Sequence, residues 1–294
     1  MHKSIWKRIW KKRSAYLFIS PFFIGFGIFQ LFPIIYSIFL SFNKWNGFGV
    51  REFVKFNNYI RAFNDTRFIQ SIKNTVILWL GHIFIMMALA IFIAVILNKK
   101  QLIGRRFYRM AIYMPNVTAI AAMTLVFGLI FDSQYGVLNS IITSLIDIAP
   151  IPWLTEPNYA RLSIIILNTW AITGFFMMII LAGLQSIDTE LYEAAETDGA
   201  SAWQKFLYIT LPGLQKVLFF CFVVETIGSL GIFTEPAVLT QGGPSNSTLS
   251  ISLYIYNVAF KYNRFGYAAA LSFILFAMIF VASIIQMRFY RDEE

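Results

Sequence analysis

The chain has 294 residues, of which 58% are hydrophobic, 18% aromatic and only 13% charged. A soluble domain carries roughly 45–50% apolar and 25% charged residues, so this composition excludes an ordinary water-soluble fold. The formal charge of +9 would suggest nucleic acid in a soluble protein. Here the basic residues gather at the edges of apolar runs, which is a membrane signature and excludes nucleic acid as a partner.

In chain order, Met1–Arg13 is a basic tail with Lys3, Lys7, Arg8, Lys11, Lys12 and Arg13 and no acid. The apolar run that follows is long, Phe-rich and without a small-residue cleavage site, so it reads as an uncleaved anchor. Six segments are long enough to span: Ser14–Phe42, Asn74–Leu97, Met110–Phe131, Arg161–Leu184, Lys216–Phe233 and Tyr267–Met287. About 20 apolar residues rising about 1.5 Å each cross the hydrocarbon, and only a helix keeps its backbone hydrogen bonds internal there. The expected fold is an all-α integral membrane protein of about six transmembrane helices.

The short loops set the orientation. Asn98–Arg109 carries Lys99, Lys100, Arg105, Arg106 and Arg109 without an acid, on the same side as the tail if the first two spans form a hairpin. That side is cytoplasmic by the positive-inside rule, and both termini then lie inside. Asn43–Lys73 dissents with six basic residues, but it also holds Glu52 and Asp65 and follows the first span, which usually dominates. The expected organisation is a cytoplasmic tail over 1–13, a six-span domain over 14–287 with a cytoplasmic loop at 185–215, and a cytoplasmic tail over 288–294. Outer segments carry the turn chemistry: Pro150, Pro152, Trp153 and Pro157 in one, and the QGGPSN run Gln241–Asn246 in another.

Gln185–Gln215 is polar enough to leave the bilayer. Asp188, Glu190, Glu193, Glu196 and Asp198 place five acids in eleven positions on the side that otherwise collects Lys and Arg. A first short helix starts at Asp188, whose carboxylate caps free N–H groups, and carries Leu191, Ala194 and Ala195 as an apolar stripe. Gly199 supplies a break. Trp203, Phe206 and Leu207 make a second amphipathic helix that stops near Leu211–Pro212. A helix lying on anionic lipid would carry Lys and Arg, so the acids favour a docking element for a soluble protein.

The run Glu193-Ala194-Ala195-Glu196-Thr197-Asp198-Gly199-Ala200, followed by Ile209, Leu211 and Pro212, resembles the EAA loop of ABC importer permeases. Gln215-Lys216 stands where members often have another proline. KKRSAYLFISPF, Phe56-Asn57-Asn58-Tyr59 with Asn74 and Thr75, Gly104–Pro115 with Gly136 and Asn139, and Thr240–Pro244 with Thr248 are similar to the first-permease subunits of carbohydrate importers of the maltose and glycerol-3-phosphate type. The resemblance implies an ABC importer permease fold whose cytoplasmic helix-turn-helix couples to ATPase subunits through Glu193, Ala194, Ala195, Asp198, Gly199, Leu211 and Pro212. It implies a bacterial inner-membrane subunit that moves a sugar, oligosaccharide by expectation, through alternating access. Its implied partners are a second homologous permease, two ATPase subunits and an extracytoplasmic solute-binding protein. No cofactor binds this chain; ATP and Mg belong to the ATPase subunits.

Candidate pathway residues are polar groups inside the apolar bundle. Glu225, Ser229 and Glu235 lie in and beyond the fifth span, and Asn168, Trp170 and Thr173 in the fourth. Amides and carboxylates bind sugar hydroxyls while aromatic faces pack on the rings, and a carboxylate at membrane depth is costly. Two readings of Glu225 stand: contact with solute, or an interhelix hydrogen bond. His82 reads as a packed helix-interface residue. One cysteine, Cys221, excludes an internal disulfide, no metal-ligand spacing occurs, and no G-x-x-x-x-G-K-S/T phosphate loop is present, so the chain is not itself an ATPase or another enzyme. The alternatives are a permease for a polyol or glycerol-phosphate-type solute, or an ion-coupled secondary transporter, which would want paired repeats and further buried carboxylates.

Overall fold

The computed structural model describes residues 13–99 and 101–291. The basic tail falls on residues 1–12, outside the described residues, as do the last three positions of the chain. By packing the chain divides into two units, residues 13–63 with 255–274, and residues 64–254 with 275–291.

The first unit opens with α1 (Arg13–Phe26), a π-helical turn at Gly27–Leu31, and α2 (Phe32–Ser41). Together they run as one apolar rod from Tyr16 to Ser41 of which little is covered, Phe18 being 85% exposed. Such a surface belongs against lipid. Strand β1 (Asn43–Lys44) pairs antiparallel with β2 (Glu52–Phe53), and α3 (Asn57–Asn64) follows. Asn58 closes this corner, its amide donating to the carbonyls of Ser41 (2.8 Å) and Asn43 (3.0 Å), while the Tyr59 hydroxyl donates to Ser41 Oγ (2.8 Å). A buried amide with both protons bonded fixes where the rod ends and the loop begins. The Arg51 guanidinium covers the rings of Tyr36 and Trp45 at 5.3 and 5.1 Å.

The second unit contains α4 (Thr66–Asn98), α5 (Arg105–Val117), α6 (Ile120–Ile130), α7 (Val137–Leu145), α8 (Pro157–Leu184), α9 (Thr189–Thr197), α10 (Ala202–Lys205), α11 (Leu211–Gly213) and α12 (Gln215–Leu230). Helix α13 (Ile251–Tyr256) and the last helix, α14 (Phe265–Arg291), each have residues in both units. Among the described residues four helical runs are long and apolar enough to cross a membrane: Tyr16–Ser41, Thr66–Asn98, Pro157–Leu184 and Phe265–Tyr290. The expected third span is instead a broken pair, α5 and α6, bent by 98°, and the fifth is α12 joined at 65° to Ala202–Gly213. With each pair counted as one crossing the total is six. The first bend follows Pro115, which lacks the N–H to bond back into the helix, and comes where Thr118 turns to extended backbone (φ −84°, ψ 145°).

The core of this unit lies between α4 and α8. Met86, Ala90 and Ala94 form one stripe of α4 against Met177, Ile180, Leu181 and Leu184 of α8, with Cys221 of α12 beside them. Lipid is as apolar as these side chains, so close packing rather than escape from water holds helices together there, and small residues permit it. The QGGPSN turn is anchored to the end of α4. Asn74 Nδ2 donates to the carbonyls of Asn246 (2.7 Å) and Leu249 (3.1 Å), and Thr75 Oγ1 accepts from the Ile251 N–H (3.0 Å). Arg161 donates through Nε to the Ser247 carbonyl (2.9 Å) and through a terminal nitrogen to Asn74 Oδ1 (3.3 Å).

Between α8 and α12 the chain makes the expected helix-turn-helix. Asp188 caps α9 by accepting from the Glu190 N–H (3.0 Å), Gly199 turns the chain at φ +76°, and Ser201 and Gln204 form a reciprocal capping box. The second helix ends at Gly213, one residue beyond Pro212. A π turn at Phe206–Thr210 widens the bonding pattern, and the helix runs through the proline to bend at Leu214.

Candidate functional site: a polar cavity beside a buried histidine–glutamate pair

A cavity of about 340 Å³ opens within the second unit. Pro115, Asn116 and Thr118 line it from the break between α5 and α6, Asn168 and Ile172 from α8, and Glu225, Ser229, Thr234 and Glu235 from α12 and the link beyond it. The broken helix creates the space: a straight span would have carried Thr118 and Ile120 past this point. Among the lining residues two are carboxylates and none is Lys, Arg or His.

Glu225 is 3% exposed and doubly held. Its Oε1 lies 2.8 Å from His82 Nε2 of α4 and accepts the hydroxyl of Ser229, one helical turn on. The other ring nitrogen, His82 Nδ1, lies 3.0 Å from Thr169 Oγ1 of α8. With Glu225 ionised, Nε2–H is the donor, and Nδ1 of the neutral ring accepts the threonine hydroxyl. A buried carboxylate needs such partners, because a charge stripped of water and left unpaired costs several kcal/mol. The other carboxylate oxygen, Oε2, takes no hydrogen bond from the described residues. Asn168, 4% exposed in the same wall, has an Oδ1 with no hydrogen-bond partner.

Of the pathway candidates, the fold brings Glu225, Ser229, Glu235 and Asn168 to this cavity. It does not bring Trp170 and Thr173, which face a separate apolar cleft with Thr169, Ile166 and Leu162. Two residues on a helix are about 200° apart in direction, so Asn168 and Trp170 look opposite ways. The Trp170 ring lies against Phe127 at 5.1 Å, and the Thr173 hydroxyl donates back to the Thr169 carbonyl. Asn116 and Thr118 were not singled out by sequence, and His82 was read only as a packed helix-interface residue. The signal for the first two was Pro115-Asn116 inside an apolar run. In the loop between α8 and α12, Glu193, Ala194, Asp198, Gly199, Leu211 and Pro212 are exposed and Ala195 is half-buried. Among the described residues no cluster of His, Cys, Asp and Glu could hold a metal ion.

A bundle of apolar helices, two of its crossings broken, around a polar cavity is the build of a membrane-embedded permease. The chain belongs to the family of binding-protein-dependent transport system inner membrane components, which residues 86–292 match. It is 37% identical to the lactose transport system permease protein LacF of Rhizobium radiobacter over 96% of this chain and 94% of that one. It is 33% identical to the arabinooligosaccharides transport system permease protein AraP of Bacillus subtilis, over 95% and 88%. The fold is similar to a chain in the crystal structure of a bacterial alginate ABC transporter in complex with an alginate pentasaccharide-bound periplasmic protein, with a TM-score of 0.85 and 25% identity over 97% of this chain and 96% of that one.

Proposed function

We propose that this chain is one of two membrane-spanning subunits of an ATP-driven importer, and that its cargo is an uncharged oligosaccharide. The cavity carries this reading: acceptor oxygens from Glu225, Glu235 and Asn168 converge there with hydroxyls from Thr118, Ser229 and Thr234, and no cation lines it. Sugar hydroxyls donate to such acceptors. A phosphate would meet two carboxylates and no Lys or Arg, the opposite of what anion recognition needs, so the glycerol-phosphate reading is disfavoured. The cargo named for two relatives, lactose and arabinooligosaccharides, points the same way.

In this reading the loop at 189–213 seats on an ATPase subunit at the cytoplasmic face, and a solute-binding protein delivers sugar from outside. The exposure of Trp203 (66%) and Tyr208 (76%) beside the acids supports docking, since free aromatic surface on a polar segment marks an interface. The basic clusters at Lys99–Arg109 and in the N-terminal tail support cytoplasmic termini. ATP binding by the partner subunits closes them, moves the docked loops and turns the cavity from inward-facing to outward-facing. The test is uptake of radiolabelled lactose, arabinotriose and glycerol 3-phosphate by cells carrying the complete importer. Uptake of a neutral sugar is expected, and uptake of the phosphate alone overturns the reading. Glu193→Lys with Gly199→Asp should abolish uptake and release the ATPase subunits while the chain still inserts; normal transport in that variant refutes the docking role.

A further inference from the structure

His82 is absent from the cavity wall, yet it decides what Glu225 can offer there. A glutamate side chain rotates about three bonds, and in this bundle two donors from two helices converge on one of its oxygens, Oε1. That oxygen is saturated. Oε2 is the carboxylate oxygen left without a protein donor, and the unpartnered Oδ1 of Asn168 belongs to the same cavity wall. A buried acceptor without a donor is uncommon in folded proteins, and the Asn168 oxygen, in the wall that Glu225 also lines, points to donors that arrive with a ligand. His82 is itself held in orientation by Thr169 through its other nitrogen, so the ring cannot turn away without losing both contacts. The chain Thr169–His82–Glu225 also links α8, α4 and α12.

We infer that His82 is a positioning residue: it fixes Glu225 so that a single carboxylate oxygen accepts a hydroxyl of the solute in the cavity. The inference rests on the sugar-import reading above and names the residue that makes its site work. Removing His82 frees Glu225 to rotate toward Ser229 alone and leaves its charge poorly paired, so solute is held less often through the transport cycle. Removing Glu225 itself has the same consequence, and once Glu225 is gone His82 has nothing left to position.

The experiment uses the assembled importer in proteoliposomes with saturating binding protein, and lactose or arabinotriose, whichever the uptake panel shows to be carried. It measures sugar imported per ATP hydrolysed, together with the amount of complex recovered. His82→Phe and Glu225→Gln should each lower that ratio about tenfold, the scale of one hydrogen bond to a charged group. The double variant should be no worse than Glu225→Gln, and His82→Gln, which restores an N–H at similar reach, should recover at least about half of the lost coupling. Multiplied losses in the double variant overturn the inference. So does a His82→Gln variant that assembles normally but couples as poorly as His82→Phe, or a His82→Phe variant whose ratio equals the wild type's. A wild-type complex that carries neither sugar overturns the import reading first, and this inference with it.

Discussion

Gly174 of α8 lies against the backbone carbonyl of Ile112 in α5, so closely that a β-carbon at position 174 would overlap that oxygen. The contact seats α5 on α8 and thereby places the break at Thr118 beside Asn168. Gly174→Ala improves intrinsic helix propensity by about 0.5–1 kcal/mol. Its methyl, however, meets backbone rather than a movable side chain, and overpacking of that kind costs about 1–3 kcal/mol. Thermal unfolding of the purified complex in detergent should show a lower midpoint; an equal or higher one refutes the close approach.

Asn74 uses its whole amide on neighbours far away in sequence: both protons go to the Gln241–Leu249 turn region, and its oxygen takes a bond from Arg161. Asn74→Asp keeps the acceptor but places a carboxylate against two carbonyls, and loss of such buried bonds costs about 1–3 kcal/mol. Hydrogen exchange over residues 241–250 should quicken, with the middle of α4 unchanged. Unaltered protection of that turn would show that Asn74 does not hold it.

The loop at 189–213 depends on local chemistry. Ser201→Ala removes the hydroxyl of the capping box and should weaken the helix from Ala202 by about 1 kcal/mol. Gly199→Ala puts a β-carbon on a residue at φ +76°, which costs roughly 1–2 kcal/mol. Both should raise hydrogen exchange across 189–213 without changing exchange in α8. A variant in which the loop stays as protected as the wild type contradicts this account.

Asn168 and Trp170 separate the two faces of α8. Asn168→Ala removes an acceptor that has no partner in the folded chain, so stability should hold while sugar uptake falls about fivefold, the scale of one neutral hydrogen bond of about 1 kcal/mol. Trp170→Phe keeps a ring against Phe127 and should leave uptake within about twofold, since the position faces the other cleft. Uptake kinetics and detergent melting on the same preparations check both, and the reverse pattern would move the solute path to the Trp170 cleft.

Much of this protein was legible residue by residue. The apolar runs at Thr66–Asn98, Pro157–Leu184 and Phe265–Arg291 are long enough that hydrocarbon thickness dictates helix. The loop at 189–213 reads correctly because its caps, its glycine turn and its stripe act over four residues or fewer. The break in the third span was not legible, since hydropathy is blind to direction and a 98° bend between Val117 and Ile120 leaves the count of apolar residues unchanged. The second loop helix ends at Gly213, one residue past the expected stop near Leu211–Pro212.

The sequence by itself determined the class of protein, its mostly helical build and which polar residues are costly at membrane depth. It also carried the loop pattern that marks the family. The partners of those polar residues were decided only by tertiary structure. Each helical side chain looks out along one direction, and which direction meets a neighbour depends on how α4, α5, α8 and α12 are packed. That is why Asn168 and Trp170, two residues apart, serve different clefts. It is also why Glu225 and His82, 143 residues apart, form one pair.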